Sequence, residues 1–507
     1  MDRGDFLALA GRGALALGAA ASSRQWASLL APDRAANSRL GELARAITGT
    51  VITPASGAYA EARLVESTRF DGVYPQAIVL AADTRDVATT VAWARRYGVH
   101  LVPRSGGHSY GGYSTTTGVV LDVGRLRKVQ VAADGTTAAV GTGARLIDVY
   151  ADLWAKRVTI PAGSCPSVGI AGLTLGGGVG YASRKLGLTC DNLVQAEIVT
   201  ADAEVLTCDG RHHSDLFWAC RGGGGGNFGV ATRFTFHVHP VSTVATYSVE
   251  WPWAEAAQAV DAWQAFAPHA PDELYSVCDL LATDPGAGAR SHVVSSGQFF
   301  GSAADLRTLI EPLTSTGSPL RVATNNRTYI DAMLSWAGCS NDTVAQCHLG
   351  PRGVLRRTTF EASSEYATKT FSAGAIAALI DAIDERQANA VLGRGSILLD
   401  AYGGAINRVP AAATAFVHRN ELFSLQQIAE WKPDAPASTV TANRKWLSDL
   451  RLAIRPAVSG RAYQNYIDPD LTGWAAAYYG ASYHRLRTIK RKYDPTNFFR
   501  FAQSIRP

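Results

Sequence analysis

Pro103-Arg-Ser-Gly-Gly-His-Ser-Tyr-Gly-Gly-Tyr-Ser114 is the most informative stretch of this chain. Four glycines surround one histidine, His108, and glycine permits the positive φ angles and close backbone approach that a Cβ atom resists. A loop of this kind can wrap a flat or an anionic ligand. The stretch therefore predicts a binding loop that presents His108 to its ligand.

A second glycine-rich stretch, residues 163–180, repeats this design around Cys165. One glycine loop is ordinary, but two loops that each present one nucleophile indicate a large cofactor held at two points. Each residue also has an ordinary explanation. A lone buried cysteine is usually a small core residue, and a lone histidine on a loop is usually a surface group.

The segment before the His108 loop predicts a strand, a helix and a second strand. Residues 77–80 are a short apolar run, Asp83 is a typical helix N-cap, and helical spacing continues to Gly98. Residues 100–103 predict the next strand. The His108 loop would then follow the carboxyl end of a strand, where open α/β units bind ligands.

A third glycine cluster, residues 222–230, contains a Gly-x-Gly-x-x-Gly match. A dinucleotide-binding Rossmann unit would need a helix after this match, but residues 231–238 alternate like a strand, so that fold does not fit. Residues 146–155 predict a helix, and the alternating runs between 191 and 207 predict a hairpin sheet. Beyond residue 241, predicted helices at 253–267 and 302–310 alternate with strands at 291–296 and 396–402, which indicates a second, α+β domain.

The bulk composition is that of an ordinary soluble globular protein. The chain has 507 residues, 47% of them hydrophobic, which suffices for two or three domains. A net charge of +5 is too dilute to indicate nucleic-acid binding, and no apolar run is long enough to span a bilayer. Cys208 with His212 and His213 matches no usual zinc spacing, so no metal site is predicted.

The amino terminus and the cysteines leave alternatives open. Residues 2–21 have the shape of a twin-arginine export signal, although Gly4 replaces the second arginine and Arg12 interrupts the apolar tract. The alternative is a tail on a cytoplasmic protein.

Seven cysteines without a Cys-x-x-Cys pair indicate no disulfide framework. Buried free thiols are the default for all but Cys165, although Cys339 and Cys347 are close enough to pair.

Three separated motifs resemble those of the berberine-bridge-enzyme-like flavoproteins of the vanillyl-alcohol-oxidase superfamily. They are Arg-Ser-Gly-Gly-His-Ser-Tyr, Gly-x-Cys-Pro-x-Val-Gly, and Tyr-Gln-Asn-Tyr-Ile-Asp followed by Tyr-Asp-Pro-Thr-Asn-Phe-Phe. The resemblance implies an α+β fold with a two-part PCMH-type FAD-binding domain over residues 46–240. It implies a substrate domain over 241–455, built on an antiparallel sheet flanked by helices. Residues 456–507 would return to the FAD domain, and residues 1–45 would be a leader or tail.

The cofactor implied by this resemblance is one FAD, covalently attached at both His108 and Cys165. Two bonds would withdraw electron density from the ring and raise its potential. The small Val168 resembles the family's oxygen gate and suits an oxidase that releases hydrogen peroxide. The predicted contacts to the flavin are Arg104, Ser105, Gly106, Gly107, Ser109, Val168, Gly169, Gly172, Gly178, Gly180, Asn227, Phe228, Gly229, Val230, Asn465 and Asn497.

The resemblance implies a tyrosine base for alcohol oxidation. Hydride transfer to flavin N5 requires removal of the hydroxyl proton. Tyr466 is the favoured base, with Tyr463 and Asn465 orienting flavin or substrate. A tyrosine with its ordinary pKa of about 10 acts as a base only where its surroundings favour the phenolate, or where a carboxylate accepts the proton. Core packing with a satisfied hydroxyl is the alternative for both tyrosines.

Other positions refine the expected chemistry. Tyr110 resembles an active-site wall of the family. Gln426 stands where alkaloid-cyclising members carry a catalytic glutamate, and an amide cannot act as that base, which favours alcohol oxidation over ring closure. Asp400 and Tyr402 either face the cleft from their strand or are structural.

The predicted activity is oxidation of a secondary alcohol of a sugar or natural product to a ketone or lactone. The predicted partners are that alcohol or sugar and O2, without nucleic acid or membrane, in a monomer or homodimer. One alternative is a dehydrogenase that passes electrons to a quinone or dye. Another is a flavin-carrying interaction protein without turnover.

Overall fold

A computed structural model describes residues 34–284 and 290–507. Residues 2–21, which carry the twin-arginine-like pattern, lie outside the described residues. Within the described part, strands form sheets of four, five and seven strands and one two-stranded ribbon. In the same part of the chain, no helix combines the length and the apolar composition needed to cross a bilayer.

The first sheet leads into the His108 loop. Its strands are β1 (Thr50–Ile52), β2 (Ala77–Leu80), β3 (Leu101–Arg104) and β4 (Val119–Asp122), in the order β1-β2-β4-β3. Strands β2, β4 and β3 are parallel, and β1 is antiparallel. The accompanying helices are α1 (Arg34–Ala46), α2 (Tyr59–Ala62) and α3 (Thr84–Tyr97). The predicted strand-helix-strand unit is confirmed, since α3 begins at the N-cap Asp83 and ends at Gly98 with φ of +63°.

The second sheet is antiparallel. The strands in this region are β5 (Val129–Val131), β6 (Thr137–Gly141), β7 (Val158–Thr159), β8 (Leu193–Val199), β9 (Val205–Asp209), β10 (Val230–His237) and β11 (His239–Pro240). The sheet order is β5-β6-β10-β8-β9, and β7 pairs with β11. The helices are α4 (Leu146–Trp154), α5 (Ile170–Leu175), α6 (Ser183–Leu186) and α7 (Ser214–Ala219). Strand β10 follows the third glycine cluster directly, as predicted.

The predicted hairpin is confirmed as β8 and β9, but its first residues are not a strand. Residues Thr189–Asn192 form a 3-10 helix, because the Asp191 carboxylate accepts a hydrogen bond from the Leu188 backbone N–H at 2.9 Å. This side chain competes with extended pairing at the point where the strand was expected to begin.

The third sheet is antiparallel and carries helices on one face, as predicted. Its strands are β12 (Thr243–Trp251), β13 (Leu274–Ala282), β14 (His292–Phe299), β15 (Arg321–Thr328), β16 (Phe360–Ala367), β17 (Gly395–Ala401) and β18 (Phe423–Glu430), in the order β15-β12-β14-β13-β17-β18-β16. The helices are α8 (Ala256–Phe266), α9 (Ala303–Leu309), α10 (Glu311–Thr314), α11 (Tyr329–Trp336), α12 (Ala373–Ala388), α13 (Gly404–Arg408) and α14 (Ala437–Ile454).

The strand period of two separates the two faces of this sheet. On β13, Leu274, Cys278 and Leu280 pack into the helix-covered core, so Tyr275 and Asp279 face the opposite side. The same alternation holds on β17 and β18. One face of the sheet is thus free to cover a site.

The last segment contains α15 (Trp474–Tyr479) and α16 (Ser482–Tyr493) and packs on the third glycine cluster. The buried Lys490 ammonium donates to the backbone oxygens of Asn227 at 2.6 Å and Phe499 at 2.7 Å, and to the Asp494 carboxylate at 2.7 Å. The Ile505 N–H donates to the Asn227 side chain at 2.9 Å. These bonds fix the two segments against each other.

The cysteines correct one expectation. Cys339 and Cys347 form a disulfide, so the default of a buried free thiol is wrong for these two. The remaining four cysteines of that prediction are buried free thiols, namely Cys190, Cys208, Cys220 and Cys278. Cys165 is free and exposed.

Candidate active site

A cavity of about 440 Å³ lies between the glycine-rich loops and the free face of the third sheet. The loops after β3 and before α5 form one wall, and β13, β17 and β18 form the opposite wall, which we call the roof. Most of the predicted site residues line this cavity, namely Arg104, Ser105, Gly106, Gly107, His108, Ser109, Tyr110, Cys165, Val168, Gly169, Gly172, Gly180, Gly229, Val230, Gln426, Tyr463, Asn465 and Tyr466.

Five predicted site residues are not part of this lining. They are Gly178, Asn227, Phe228, Tyr402 and Asn497. Asn227 is fully buried, and its side-chain amide donates to the Gly223 oxygen at 3.0 Å. Phe228 packs in the core, and Asn497 occupies a positive-φ turn.

Tyr402 is separated from the cavity although Asp400 lines it. Tyr402 follows the end of β17 at Ala401 but stays on the same side of the sheet as Asp400, because it packs in a buried cluster with Tyr275, Tyr366 and Tyr463. Its side chain is fully buried, and its hydroxyl lies 3.1 Å from that of Tyr366. The structure therefore places Tyr402 in the aromatic packing next to the cavity and not in the cavity lining.

Glycine is required where the two nucleophile loops meet. A Cβ atom on Gly106 would lie 2.1 Å from the Gly169 nitrogen, and one on Gly169 would lie 2.1 Å from the Ser105 hydroxyl. Gly172 differs, because a Cβ there would meet no atom within 4 Å and would point into open space. Close contact between the loops thus brings His108 and Cys165 to one cavity. No side chain projects from the cavity wall at Gly172.

His108 is held by the loop that carries Cys165. Its Nε2 atom lies 2.9 Å from the hydroxyl of the buried Ser167, and the Arg145 guanidinium donates to the Ser167 backbone oxygen at 3.3 Å. Burial and the positive charge of Arg145 lower the pKa of His108 to about 3. The imidazole is therefore neutral at physiological pH and retains one nitrogen lone pair.

Cys165 is reached by solvent through the cavity, although protein surrounds it on the other sides. Those surroundings, together with the negative charge of Glu66, raise the pKa of the Cys165 thiol. The thiol is therefore protonated at neutral pH and needs a proton acceptor before it can act as a nucleophile.

These walls fit a flavin dinucleotide. Open space lies over Gly172, where a flat ring would meet no side chain, and His108 and Cys165 line the same cavity. Three further lining residues, Phe499, Arg500 and Phe501, were not predicted, and they come from the last segment of the chain. Their position could have been suspected from the aromatic-cationic run Phe498-Phe-Arg-Phe501.

Three tyrosines cluster beside the nucleophiles. The rings of Tyr110 and Tyr466 stack with centroids 5.6 Å apart and planes 5° from parallel, and Tyr463 meets Tyr466 edge-on at 4.9 Å. The Gln426 amide donates to the Tyr110 hydroxyl at 2.9 Å. Burial raises the pKa of Tyr466 well above its ordinary value, and the nearby Asp400 charge raises it further. These surroundings oppose a phenolate at Tyr466.

The hydroxyl of Tyr463 is occupied by loop contacts. It accepts hydrogen bonds from the Gly178 backbone N–H at 2.8 Å and from the Asn465 amide at 2.9 Å. The Asn465 amide also donates to the Leu173 backbone oxygen at 2.9 Å. Tyr463 and Asn465 therefore join the last segment of the chain to the Cys165 loop.

The roof carries two carboxylates. Asp400 accepts a hydrogen bond from the Tyr275 hydroxyl at 3.1 Å, and burial raises its pKa to about 6. Burial, assisted by the charge of Asp400, raises the pKa of Asp279 to about 7. Asp279 was not predicted, although a single carboxylate in the apolar run Leu274–Ala282 was a signal for it. Both groups are strong hydrogen-bond acceptors for a ligand.

An aromatic pair lies at one side of this roof. Tyr181 lines the cavity, and its ring stacks on that of Trp336 with centroids 4.1 Å apart and planes 9° from parallel. The Trp336 indole N–H donates to the Gln298 side chain at 3.1 Å. This pair, which the sequence analysis missed, joins α11 to the cavity wall.

Family models match both ends of the site. An FAD binding domain model matches residues 75–209, and a berberine and berberine-like model matches residues 462–506. The chain is 33% identical to the uncharacterized FAD-linked oxidoreductase YgaK of Bacillus subtilis (strain 168), over 91% of this chain and 97% of that protein. It is 30% identical to berberine bridge enzyme-like D-1 of Nicotiana tabacum, over 85% of this chain and 83% of that protein.

Solved structures agree with these matches. Physcomitrella patens BBE-like 1 has 32% identity and a TM-score of 0.82, over 92% of this chain and 98% of that one. A chitooligosaccharide oxidase has 26% identity and a TM-score of 0.81, over 93% of this chain and 99% of that one. Phl p 4, a grass pollen allergen with glucose dehydrogenase activity, has 26% identity and a TM-score of 0.81, over 92% and 99%. The chain is thus an FAD-linked oxidoreductase and belongs to the berberine and berberine-like family.

Proposed function

We propose that this protein holds one FAD by bonds to His108 and Cys165 and oxidises a secondary alcohol of a sugar or natural product, with O2 as electron acceptor. The observation that carries this proposal is the single cavity that joins both nucleophiles to a roof containing Asp400. Bound FAD would supply the acceptor for the substrate hydride and would return the electrons to O2 as hydrogen peroxide.

The proton of the substrate hydroxyl needs a base in the roof or the tyrosine cluster. Tyr466 is protonated at neutral pH because its pKa is raised by burial and by Asp400. Asp400, with a pKa of about 6, is mostly a carboxylate at neutral pH. We therefore propose Tyr466 as the residue that faces the substrate hydroxyl and Asp400, whose hydrogen-bonding neighbour is Tyr275, as the final acceptor of the proton.

The roof supports a substrate rich in hydroxyl groups. Asp279 has a side-chain oxygen that is buried without a partner among the described residues, and Asp400 has a single hydrogen-bonding neighbour there, Tyr275. A substrate hydroxyl can donate to either group. The names of two structural neighbours, the chitooligosaccharide oxidase and the allergen with glucose dehydrogenase activity, agree with a sugar.

Gln426 argues against ring closure of an alkaloid. Its amide donates to the Tyr110 hydroxyl, so it orients a tyrosine, and an amide does not accept a proton at neutral pH. The arrangement leaves Asp400 as the roof carboxylate beside the tyrosine cluster.

The identity of the electron acceptor distinguishes two candidate functions. Val168, in the Cys165 loop, lines the cavity with a small side chain, and its resemblance to the family's oxygen gate favours an oxidase. The glucose dehydrogenase activity in the name of one neighbour supports the second candidate, a dehydrogenase that uses a quinone or dye.

The test begins with the mass of the purified, acid-denatured chain and of the peptides that contain His108 and Cys165. Flavin on both peptides is the expected result, and a flavin that washes out would overturn the attachment. A panel of sugars and secondary alcohols is then added in air with peroxide detection. Stoichiometric peroxide supports the oxidase, whereas flavin that is bleached by substrate and recovers only with a quinone or dye supports the dehydrogenase.

A further inference from the structure

The contact between His108 and Ser167 links the two attachment loops through a polar side chain. Ser167 lies two residues after Cys165, and its hydroxyl is 2.9 Å from His108 Nε2. Its side chain is 8% exposed, so water does not compete freely for this bond. Its backbone oxygen accepts a hydrogen bond from Arg145 at 3.3 Å, which holds the backbone of Ser167 beside His108.

The other ring nitrogen of His108 is in a different situation. Nδ1 has no hydrogen-bond partner in the described part of the chain. Unlike the partnerless Nδ1 atoms of His100 and His418, it is not sealed from solvent. The neutral ring carries one proton, and the nitrogen without the proton is the nucleophile. A proton on Nδ1 would therefore block the nitrogen that is open to the cavity.

We propose that Ser167 is the positioning residue for flavin attachment at His108: its hydroxyl, 2.9 Å from Nε2, engages that nitrogen, and by accepting the Nε2–H hydrogen bond it would leave the Nδ1 lone pair free toward the cavity. This inference rests on the proposed attachment at His108. It adds that the Cys165 loop selects which histidine nitrogen reacts, so the two attachment points are coupled.

Attachment would form a bond from His108 Nδ1 to a methyl carbon of the flavin ring and would break one C–H bond of that methyl group. The methyl proton and the Nε2 proton of the alkylated imidazolium would be released, and the two electrons would pass to the flavin and then to O2, which would take up two protons to give hydrogen peroxide. Ser167 would fix the tautomer and the orientation of the His108 imidazole, and it would form no bond to the flavin.

The variants Ser167→Ala and Ser167→Thr separate the hydroxyl from the bulk of the side chain. The full-length chain would be sampled at intervals during expression, and the His108 peptide would be quantified for bound flavin. We expect linkage in Ser167→Ala to slow about fivefold to tenfold, which is the effect of losing one neutral hydrogen bond. Ser167→Thr keeps the hydroxyl and should remain close to the original rate.

The isomer of the histidyl-flavin is the readout that a purely structural role would not change. Isolated peptides, examined by NMR, should show only the Nδ1 bond in the original chain and in Ser167→Thr, and both Nδ1 and Nε2 bonds in Ser167→Ala. Equal rates and one Nδ1 isomer in all three chains would overturn the role of Ser167 and leave the proposed function intact. A His108 peptide without flavin in the original chain would overturn both.

Discussion

Replacing Asp279 by asparagine should stabilise this protein at alkaline pH. Asp279 stands in the roof with its pKa raised from 3.8 to about 7 by burial and by the charge of Asp400. A carboxyl whose pKa is raised in the folded state favours folding only while it is protonated. Its contribution is complete below its unfolded pKa and is lost as pH rises through about 7. Asparagine resembles the protonated form at every pH.

The size of the effect follows from that rise in pKa. A rise in the pKa from 3.8 to about 7 lowers the free energy of unfolding by about 4 kcal/mol at a pH above both pKa values. Water in the cavity screens the carboxylate, so we expect about 2 kcal/mol at about pH 8. The gain should fall to about a third of that value at about pH 5.

The assay is denaturant unfolding of the flavin-containing protein, followed by tryptophan fluorescence at both pH values. The matched control is Asp381→Asn, since Asp381 is an exposed carboxylate on α12 in the same part of the chain. It should change stability by less than about 0.5 kcal/mol at either pH. An Asp279→Asn gain that is equal at both pH values, or a loss at about pH 8, would refute the burial argument.

Three further predictions address the cofactor, the base and the disulfide. Asp400→Asn should lower kcat about 100-fold. It should also abolish the rise in kcat that a carboxylate base produces as the pH passes about 6, which steady-state kinetics across pH would measure. Gly172→Leu should fold but retain little flavin, because the leucine side chain would fill the open space over Gly172. Absorbance of the purified chain measures the flavin content, and full flavin content would contradict a ring that lies over Gly172. Replacing Cys339 and Cys347 by serine opens a loop of eight residues and should cost about 2.5 kcal/mol in denaturant unfolding with unchanged flavin content, whereas an unchanged midpoint would show that packing alone holds this loop.

The cavity wall formed by the His108 and Cys165 loops was predictable from the sequence because its signals lie within short stretches of the chain. Glycines that must avoid a Cβ atom, next to a histidine or a cysteine, mark the His108 and Cys165 loops without knowledge of their neighbours. The strand-helix-strand unit before His108 was predictable for the same reason, since an N-cap aspartate and a terminal glycine act within one helix.

The roof was less predictable because it depends on contacts between distant strands. Asp279 and Asp400 come together through the pairing of β13 with β17, which places Val277 opposite Asp400. Alternation indicates which residues share a face, but it does not show which face covers the cavity. It also does not show whether a residue on the cavity side reaches the cavity, since Tyr402 lies on that side but is buried in an aromatic cluster.

The last segment of the chain has a consequence for how the holoprotein is made. Phe499, Arg500 and Phe501 complete the cavity wall, and Lys490 ties this segment to the third glycine cluster. The ribosome synthesises His108 and Cys165 long before these residues, so both nucleophiles emerge while the cavity lacks a wall. A chain arrested before residue 501 would therefore present His108 and Cys165 in a cavity that lacks part of its wall.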